Sequence, residues 1–207
     1  MLTQIIICLF VGYGFGCFST GYLVGKVNHV DLREHGSGNN GSTNALRTLG
    51  KKAGAATLFG DILKCIIPIL IMRAVFRDGE LSVPLLTLYT GLGAVCGHNF
   101  PFWMKFHGGK GIATMAGVII MTSPWFTLIE FCTFVAIVAV TRYVSLGSLV
   151  VSVLFPILVG IGFHGQADSI HMVIVCCIFT VLAFYKHRAN IKRLLSGTEN
   201  KIGHKAE

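Results

Sequence analysis

Charge is scarce in this 207-residue chain, and acid is scarcer still. Only 13% of residues are charged, and nine Asp and Glu stand against 17 Lys and Arg. With 53% apolar residues and a mean hydropathy of +0.71, this excludes an ordinary soluble domain, about a quarter of whose residues are charged. No internal repeat, low-complexity tract or composition break is present, so 1–207 reads as a single domain. Metal-ligand spacing is also missing. The seven cysteines Cys8, Cys17, Cys65, Cys96, Cys132, Cys176 and Cys177 fall in apolar stretches and read as small apolar side chains. His98 and His107 have no partner at ligand spacing, and no metal or cofactor is expected. No basic region precedes the first apolar run, which is expected to be a span rather than a cleaved leader.

What is abundant is apolar runs and glycine. Runs at Thr3–Lys26, Ala53–Phe76, Leu81–Asn99, Ile112–Met121, Trp125–Thr141, Leu146–Phe163 and Ser169–Lys186 predict an all-α integral membrane protein. The 25 glycines suit close helix contacts. Ile112–Met121 is short and also reads as a re-entrant or interfacial helix. Lys26, Arg33, Arg47, Lys51, Lys52, Lys105, Lys110, Arg142, Lys186, Arg188, Lys192, Arg193, Lys201 and Lys205 make 14 of the 17 basic residues. The opposite loops hold Arg77 against Asp78, Glu80 and Asp168. The positive-inside rule then predicts about seven crossings, N-terminus outside and C-terminus cytoplasmic. A five-span path, with 112–141 as one tilted helix, would put the two ends of that helix on opposite sides. The net charge of +8 is thus a one-sided surface facing anionic lipid, and no nucleic-acid partner is expected.

Three glycine-rich, basic stretches separate the runs. Gly36-Ser-Gly-Asn-Asn-Gly-Ser-Thr-Asn44 places three glycines in six positions before Ser42 and Thr43. Consecutive N–H groups can turn into one concavity there, a nest for an anion. Thr43 or Asn44 is expected to cap a helix over Ala45–Leu49, with Arg47 one turn in and Lys51 on the same face. A Walker A loop is excluded, because Ser42 stands where its lysine belongs and no strand precedes it. The second stretch, from His98, ends in Gly108-Gly109-Lys110-Gly111, a lysine between glycines at a helix start. The third, Tyr185-Lys-His-Arg-Ala-Asn-Ile-Lys-Arg193, adds His187 and Asn190, three apart, to a basic cluster. Each has a plainer reading: a polar linker, a surface turn with a topology lysine, and a stop-transfer cluster. Within the spans lie Asp61 and Lys64, expected to pair, and Glu130.

Taken together, these motifs resemble one family. Gly-Ser-Gly-Asn-x-Gly-x-Thr-Asn, then Gly-His-x-Phe-Pro with Gly-Gly-Lys-Gly-x-Ala-Thr, then His-Arg-x-Asn-Ile-x-Arg-Leu-x-x-Gly-x-Glu resemble the bacterial acyl-phosphate:glycerol-3-phosphate acyltransferases (PlsY) over nearly the whole chain. Ser19-Thr-Gly-Tyr-Leu-Val-Gly-Lys26 and Arg142-Tyr-Val-Ser-Leu146 also match. The family's Ser-Ile-Pro before the former is Cys17-Phe18-Ser19 here.

The resemblance implies transfer of a fatty acyl group from acyl phosphate to the 1-hydroxyl of sn-glycerol 3-phosphate, giving lysophosphatidate and inorganic phosphate. This is the first step of phospholipid synthesis, set at the cytoplasmic face of the bacterial inner membrane. It implies Ser37, Arg47, Lys110, His187 and Asn190 as the polar core of the site. Gly36, Gly38, Asn39, Gly41, Thr43, Asn44, Gly108, Gly109, Gly111 and Ser145 would bind substrate and phosphate. Glu199 is expected to anchor the C-terminal segment. The His-x4-Asp pair of other glycerol-phosphate acyltransferases is missing; His29 and Glu34 have the spacing but the wrong acid. Direct use of acyl-CoA or acyl carrier protein is therefore not expected. Beyond the two substrates and membrane lipid, the implied partner is the acyl-phosphate-forming enzyme. A transporter would share the helices and basic loops, but calls for a polar path that only Asp61, Lys64 and Glu130 offer. A non-catalytic scaffold leaves the glycine motifs without a role.

Overall fold

The computed structural model describes residues 1–203, so Lys205 of the basic set lies outside the described residues. Every regular element among them is helical. The described residues form two compact units, 1–118 and 119–203, with the boundary inside one helix.

The first unit holds α1 (Leu2–Gly16), α2 (Thr20–Val27), α3 (Ser42–Leu49), α4 (Lys51–Val75), α5 (Val83–Asn99) and the start of α6 (Ile112–Thr122). The expected first span breaks at residues 17–19. Ser19 becomes the N-cap of α2 and accepts from the Tyr22 N–H at 3.4 Å. The break frees two carbonyls, and side chains satisfy both. Trp103 Nε1 donates to Cys17 O and Lys64 Nζ to Phe18 O, at 2.8 and 2.7 Å. Without such partners each orphan carbonyl would be costly at membrane depth.

α1 and α5 approach backbone to backbone. A Cβ on Gly12 or Gly16 would lie 2.0 or 2.1 Å from the Thr90 or Ala94 carbonyl oxygen, and one on Gly97 would lie 2.2 Å from Tyr13 O. Glycine on both faces is what allows this packing, the main source of helix association where lipid removes the hydrophobic drive. α5 is consequently interior, with Leu85, Leu86, Leu88 and Val95 buried.

The second unit holds the rest of α6, then α7 (Pro124–Thr141), α8 (Val144–Gly162), α9 (Ser169–Lys186) and α10 (Arg188–Leu195). Pro124 starts α7 at a first-turn position, where its missing N–H costs nothing. Phe155 of α8 meets Phe179 of α9 edge to face at 6.1 Å, and Val159, Met172 and Val175 are buried with them. Trp125, Phe131 and Val140 stay exposed on α7, as expected of a face whose solvent is lipid. Glu130 of α7 is buried, and neither carboxylate oxygen takes a hydrogen bond among the described residues.

Among the described residues, five helical segments are long and apolar enough to cross a membrane: Leu2–Val27, Lys51–Val75, Pro124–Thr141, Val144–Gly162 and Ser169–Lys186. α5 has 17 residues and α6 has 11.

Candidate active site

In the first unit, loop 28–41 folds back over the start of α3. Arg33 pairs bidentately with Asp31, Nη2 to Oδ2 at 2.6 Å and Nε to Oδ1 at 2.9 Å. Those hydrogen bonds hold the Asp31 carboxyl down to about 2, well below its ordinary value. Its negative charge is thereby matched beside the glycine loop. Gly36 and Gly38 adopt φ of +60° and +67°, which side-chain-bearing residues rarely reach.

Asn44 is the clip of the loop. It is 2% exposed. Its Oδ1 accepts from the Ser37 N–H at 2.9 Å, and its Nδ2 donates to Leu32 O and His35 O at 2.9 and 3.0 Å. Its amide is therefore spent on the loop backbone. Asn39 closes a smaller turn by accepting from the Gly41 N–H at 2.8 Å.

The helix that follows begins at Ser42, three residues before the expected Ala45, with Gly41 at the N-cap and no side-chain cap. Neither Thr43 nor Asn44 caps it, because Asn44 already faces inward. This start leaves the first-turn N–H groups of Ser42 and Thr43 open, and the helix dipole adds partial positive charge there. Arg47 is half-buried one turn on, and makes no hydrogen bond or ion pair among the described residues. The expectation that Lys51 shares its helical face is corrected. Gly50, at φ +88°, ends α3 and starts α4, so Arg47 and Lys51 belong to different helices.

Lys110 lies in a turn folded against the end of α5. The Gly108 N–H donates to Asn99 O at 3.1 Å, and the Gly109 N–H to His98 O at 3.0 Å. Both carbonyls belong to the last turn of α5, which would otherwise leave them unpaired. Gly111, at φ +84°, carries the chain into α6 and accepts from the Met115 N–H at 2.7 Å. Tyr13 Oη donates to Phe100 O at 2.8 Å and steadies the same turn from α1. Lys110 is half-buried.

His98, which has no partner at metal-ligand spacing in the sequence, finds partners through tertiary packing. Lys64 Nζ is 2.9 Å from Asp61 Oδ1, the expected pair, and also 2.7 Å from His98 Nδ1. No local pattern announces a contact between residues 34 apart. Asn40, which no sequence signal marks, is buried, and its Oδ1 takes no hydrogen bond among the described residues.

The second unit gathers Ser145, His187, Asn190 and Glu199. His187 is the residue at which α9 ends and α10 begins, and it is 2% exposed. Its Nδ1 lies 2.8 Å from Ala183 O. Only a protonated Nδ1 can bond a carbonyl, so in the neutral ring Nε2 is the basic nitrogen. Glu199 accepts from Ser145 Oγ at 3.0 Å and Asn190 Nδ2 at 2.7 Å on one oxygen, and from Arg193 Nε at 2.7 Å on the other. It thus anchors the C-terminal segment, as the sequence led us to expect. The Ile202 N–H continues the anchor by donating to Arg142 O at 2.9 Å.

Comparison with known proteins covers nearly the whole chain. The family model described as glycerol-3-phosphate acyltransferase matches residues 6–197. A relative from Clostridioides difficile (strain 630), named glycerol-3-phosphate acyltransferase, is 45% identical over 203 residues, 98% of this chain and 97% of its own. One of the same name from Thermoanaerobacter sp. (strain X514) is 40% identical, covering 98% of each. A crystal structure of PlsY, an integral membrane glycerol 3-phosphate acyltransferase in its glycerol 3-phosphate form, is 36% identical with a TM-score of 0.82. The match covers 98% of this chain and 95% of that one. Its lysophosphatidic acid form matches with the same TM-score at 35% identity, covering 96% and 95%.

Proposed function

The chain belongs to the glycerol-3-phosphate acyltransferase family, and from that premise we propose that it transfers a fatty acyl group from acyl phosphate to the 1-hydroxyl of sn-glycerol 3-phosphate. The observation that carries this reading is loop 36–44. Two left-handed glycines, an uncapped helix start and Arg47, unpaired among the described residues, suit a chemistry that must hold phosphate. The glycerol 3-phosphate form of the PlsY structure supports the acceptor, and its lysophosphatidic acid form supports the product.

Acyl phosphate is an activated mixed anhydride, so the protein need not activate it covalently. The acceptor's hydroxyl oxygen attacks the acyl carbonyl carbon. A new ester C–O bond forms, the bond from the acyl carbon to the phosphate oxygen breaks, and inorganic phosphate leaves with the electron pair. The work left to the protein is to align two phosphates and neutralise the charge that develops. Ser37, Arg47 and the open N–H groups of Ser42 and Thr43 hold the acyl-phosphate group, in a loop shaped by Gly36, Gly38, Asn39 and Gly41. Lys110, flanked by Gly108, Gly109 and Gly111, holds glycerol phosphate. His187 and Asn190 orient the reacting parts, with Ser145 and Glu199 fixing Asn190. A phosphate oxygen of the substrate takes the hydroxyl proton. His187 Nε2 is the rival acceptor, and an ascending limb in kcat/KM against pH that disappears in His187→Asn would assign the proton to it.

The single domain lies in a bacterial inner membrane with seven crossings, N-terminus outside, and the phosphate loops and C-terminus in the cytoplasm. The Lys and Arg asymmetry supports this path. α6 is the short crossing, about 16 Å long against roughly 30 Å of hydrocarbon. Thr114, Met115 and Val118 are fully buried, and a short crossing is tolerated where protein rather than lipid surrounds it.

The test is a donor comparison on purified protein with glycerol 3-phosphate. Acyl phosphate should support turnover, while acyl-CoA and acyl carrier protein should not unless the acyl-phosphate-forming enzyme is added. Turnover with acyl-CoA alone would refute the donor assignment.

A further inference from the structure

Asp61, Lys64 and His98 take no part in the chemistry above, yet all three are buried in the first unit, at 1%, 5% and 8% exposure. Lys64 Nζ lies 2.7 Å from Phe18 O and 2.7 Å from His98 Nδ1, and forms an ion pair with Asp61 Oδ1 at 2.9 Å. Asp61 balances the charge, without which a buried ammonium would be very costly. A charged ammonium can only donate, so opposite it His98 accepts at Nδ1 and its neutral ring carries the proton on Nε2; Asp61 Oδ1 lies farther from that Nδ1, at 3.7 Å. That nitrogen faces the turn of Lys110. A Cβ built on Gly109 would lie 2.0 Å from His98 Nε2, with Cε1 and Cδ2 next at 2.7 and 3.0 Å. The Gly109 N–H also donates to the His98 carbonyl at 3.0 Å. The turn is thus seated on the ring and on the backbone of one residue.

We propose that Asp61, Lys64 and His98 form a positioning triad for Lys110. The ammonium fixes His98 as the Nε2–H tautomer, and the oriented ring sets the Gly108–Gly111 turn in the shape that presents Lys110 to a phosphate. Glycine is required at position 109 because the ring occupies the space of a side chain. The inference rests on the glycerol 3-phosphate reading of Lys110, but its structural half stands apart from it. A triad that merely seals the break between α1 and α2 would alter stability and leave acceptor binding unchanged.

Two arms test it on the full-length protein. In detergent micelles, 15N-histidine NMR reads the tautomer of His98 without any substrate, with the resonance assigned by its loss in His98→Gln or by through-bond correlation should that variant not fold. A neutral ring protonated at Nε2 is expected, and one protonated at Nδ1 overturns the proposal. In kinetics, His98→Gln should raise KM for glycerol 3-phosphate about tenfold, the worth of one hydrogen bond to a charged group. kcat should stay near that of the unaltered protein, and the substitution should raise KM no further in a Lys110→Ala background. Gly109→Ala should raise KM as well, and the double variant with His98→Ala should recover part of that loss. Additive effects of His98→Gln and Lys110→Ala, or a double variant no better than Gly109→Ala, would overturn the proposal. Absence of all turnover with glycerol 3-phosphate would instead defeat the functional reading, leaving the tautomer arm to judge the triad.

Discussion

Replacing Glu199 by alanine tests the anchor of the C-terminal segment. The carboxylate is 6% exposed and accepts three hydrogen bonds, from Ser145 Oγ, Asn190 Nδ2 and Arg193 Nε. Hydrogen bonds to a charged group contribute about 1.5–3 kcal/mol each. The Arg193 leg is about a third exposed and is discounted for solvent screening. The two buried legs, taken at the low end because they share one oxygen, come to about 3 kcal/mol. Glu199→Ala should therefore lower kcat/KM by roughly two decades as Asn190 loses its tether. Glu199→Gln keeps one acceptor oxygen and should fall between, about tenfold down. Steady-state kinetics read the loss, and hydrogen exchange at the Ile202 amide, bonded to Arg142 O, reads the anchor independently. Exchange and activity should move together through the series. Unchanged kinetics in Glu199→Ala would refute the reasoning. So would a dead Glu199→Gln whose Ile202 amide is still protected, since the carboxylate would then act on substrate.

Lys110→Ala should raise KM for glycerol 3-phosphate by about one to two decades, with the melting curve unchanged. Lys110→Arg should rescue only in part, because a planar guanidinium does not replace a compact ammonium between glycines; near-normal kinetics in Lys110→Ala would remove it from the site. Asn44→Ala removes the clip of loop 36–44 and leaves the Leu32 carbonyl and the Ser37 N–H without that partner, so activity should drop at least tenfold, with limited proteolysis speeding up within residues 32–41. Impermeant thiol labelling of single cysteines, in a background lacking the native ones, should reach Gly79→Cys from outside intact cells and miss Asn39→Cys and Gly197→Cys; labelling of Asn39→Cys would overturn the orientation.

The helices were legible because apolar run length is a strong signal. The runs over 53–76, 125–141 and 169–186 reappear as α4, α7 and α9 within two residues. The break at 17–19 was not legible. Nothing between Gly16 and Thr20 forbids helix, and the carbonyls there are satisfied by Lys64 and Trp103, 46 and 86 residues away. In loop 36–44 the glycine spacing announced the left-handed turns. Composition alone, however, does not say whether Asn44 faces outward as a ligand or inward as a clip. The Asp61–Lys64 pair followed from helical spacing, whereas His98 joined it through tertiary packing. Glu199 was readable as an anchor because the motif that holds it also holds Asn190, one helix turn and a bend earlier.

The most direct measurement of the central claim follows oxygen. Acyl phosphate carrying 18O at the atom that bridges acyl carbon and phosphorus is mixed with glycerol 3-phosphate and purified protein, and the products are followed by 31P NMR. The account predicts lysophosphatidate and inorganic phosphate in equal amounts, with all of the label in inorganic phosphate, because attack falls on the acyl carbon. Inorganic phosphate released without lysophosphatidate, or released free of the label, would contradict it.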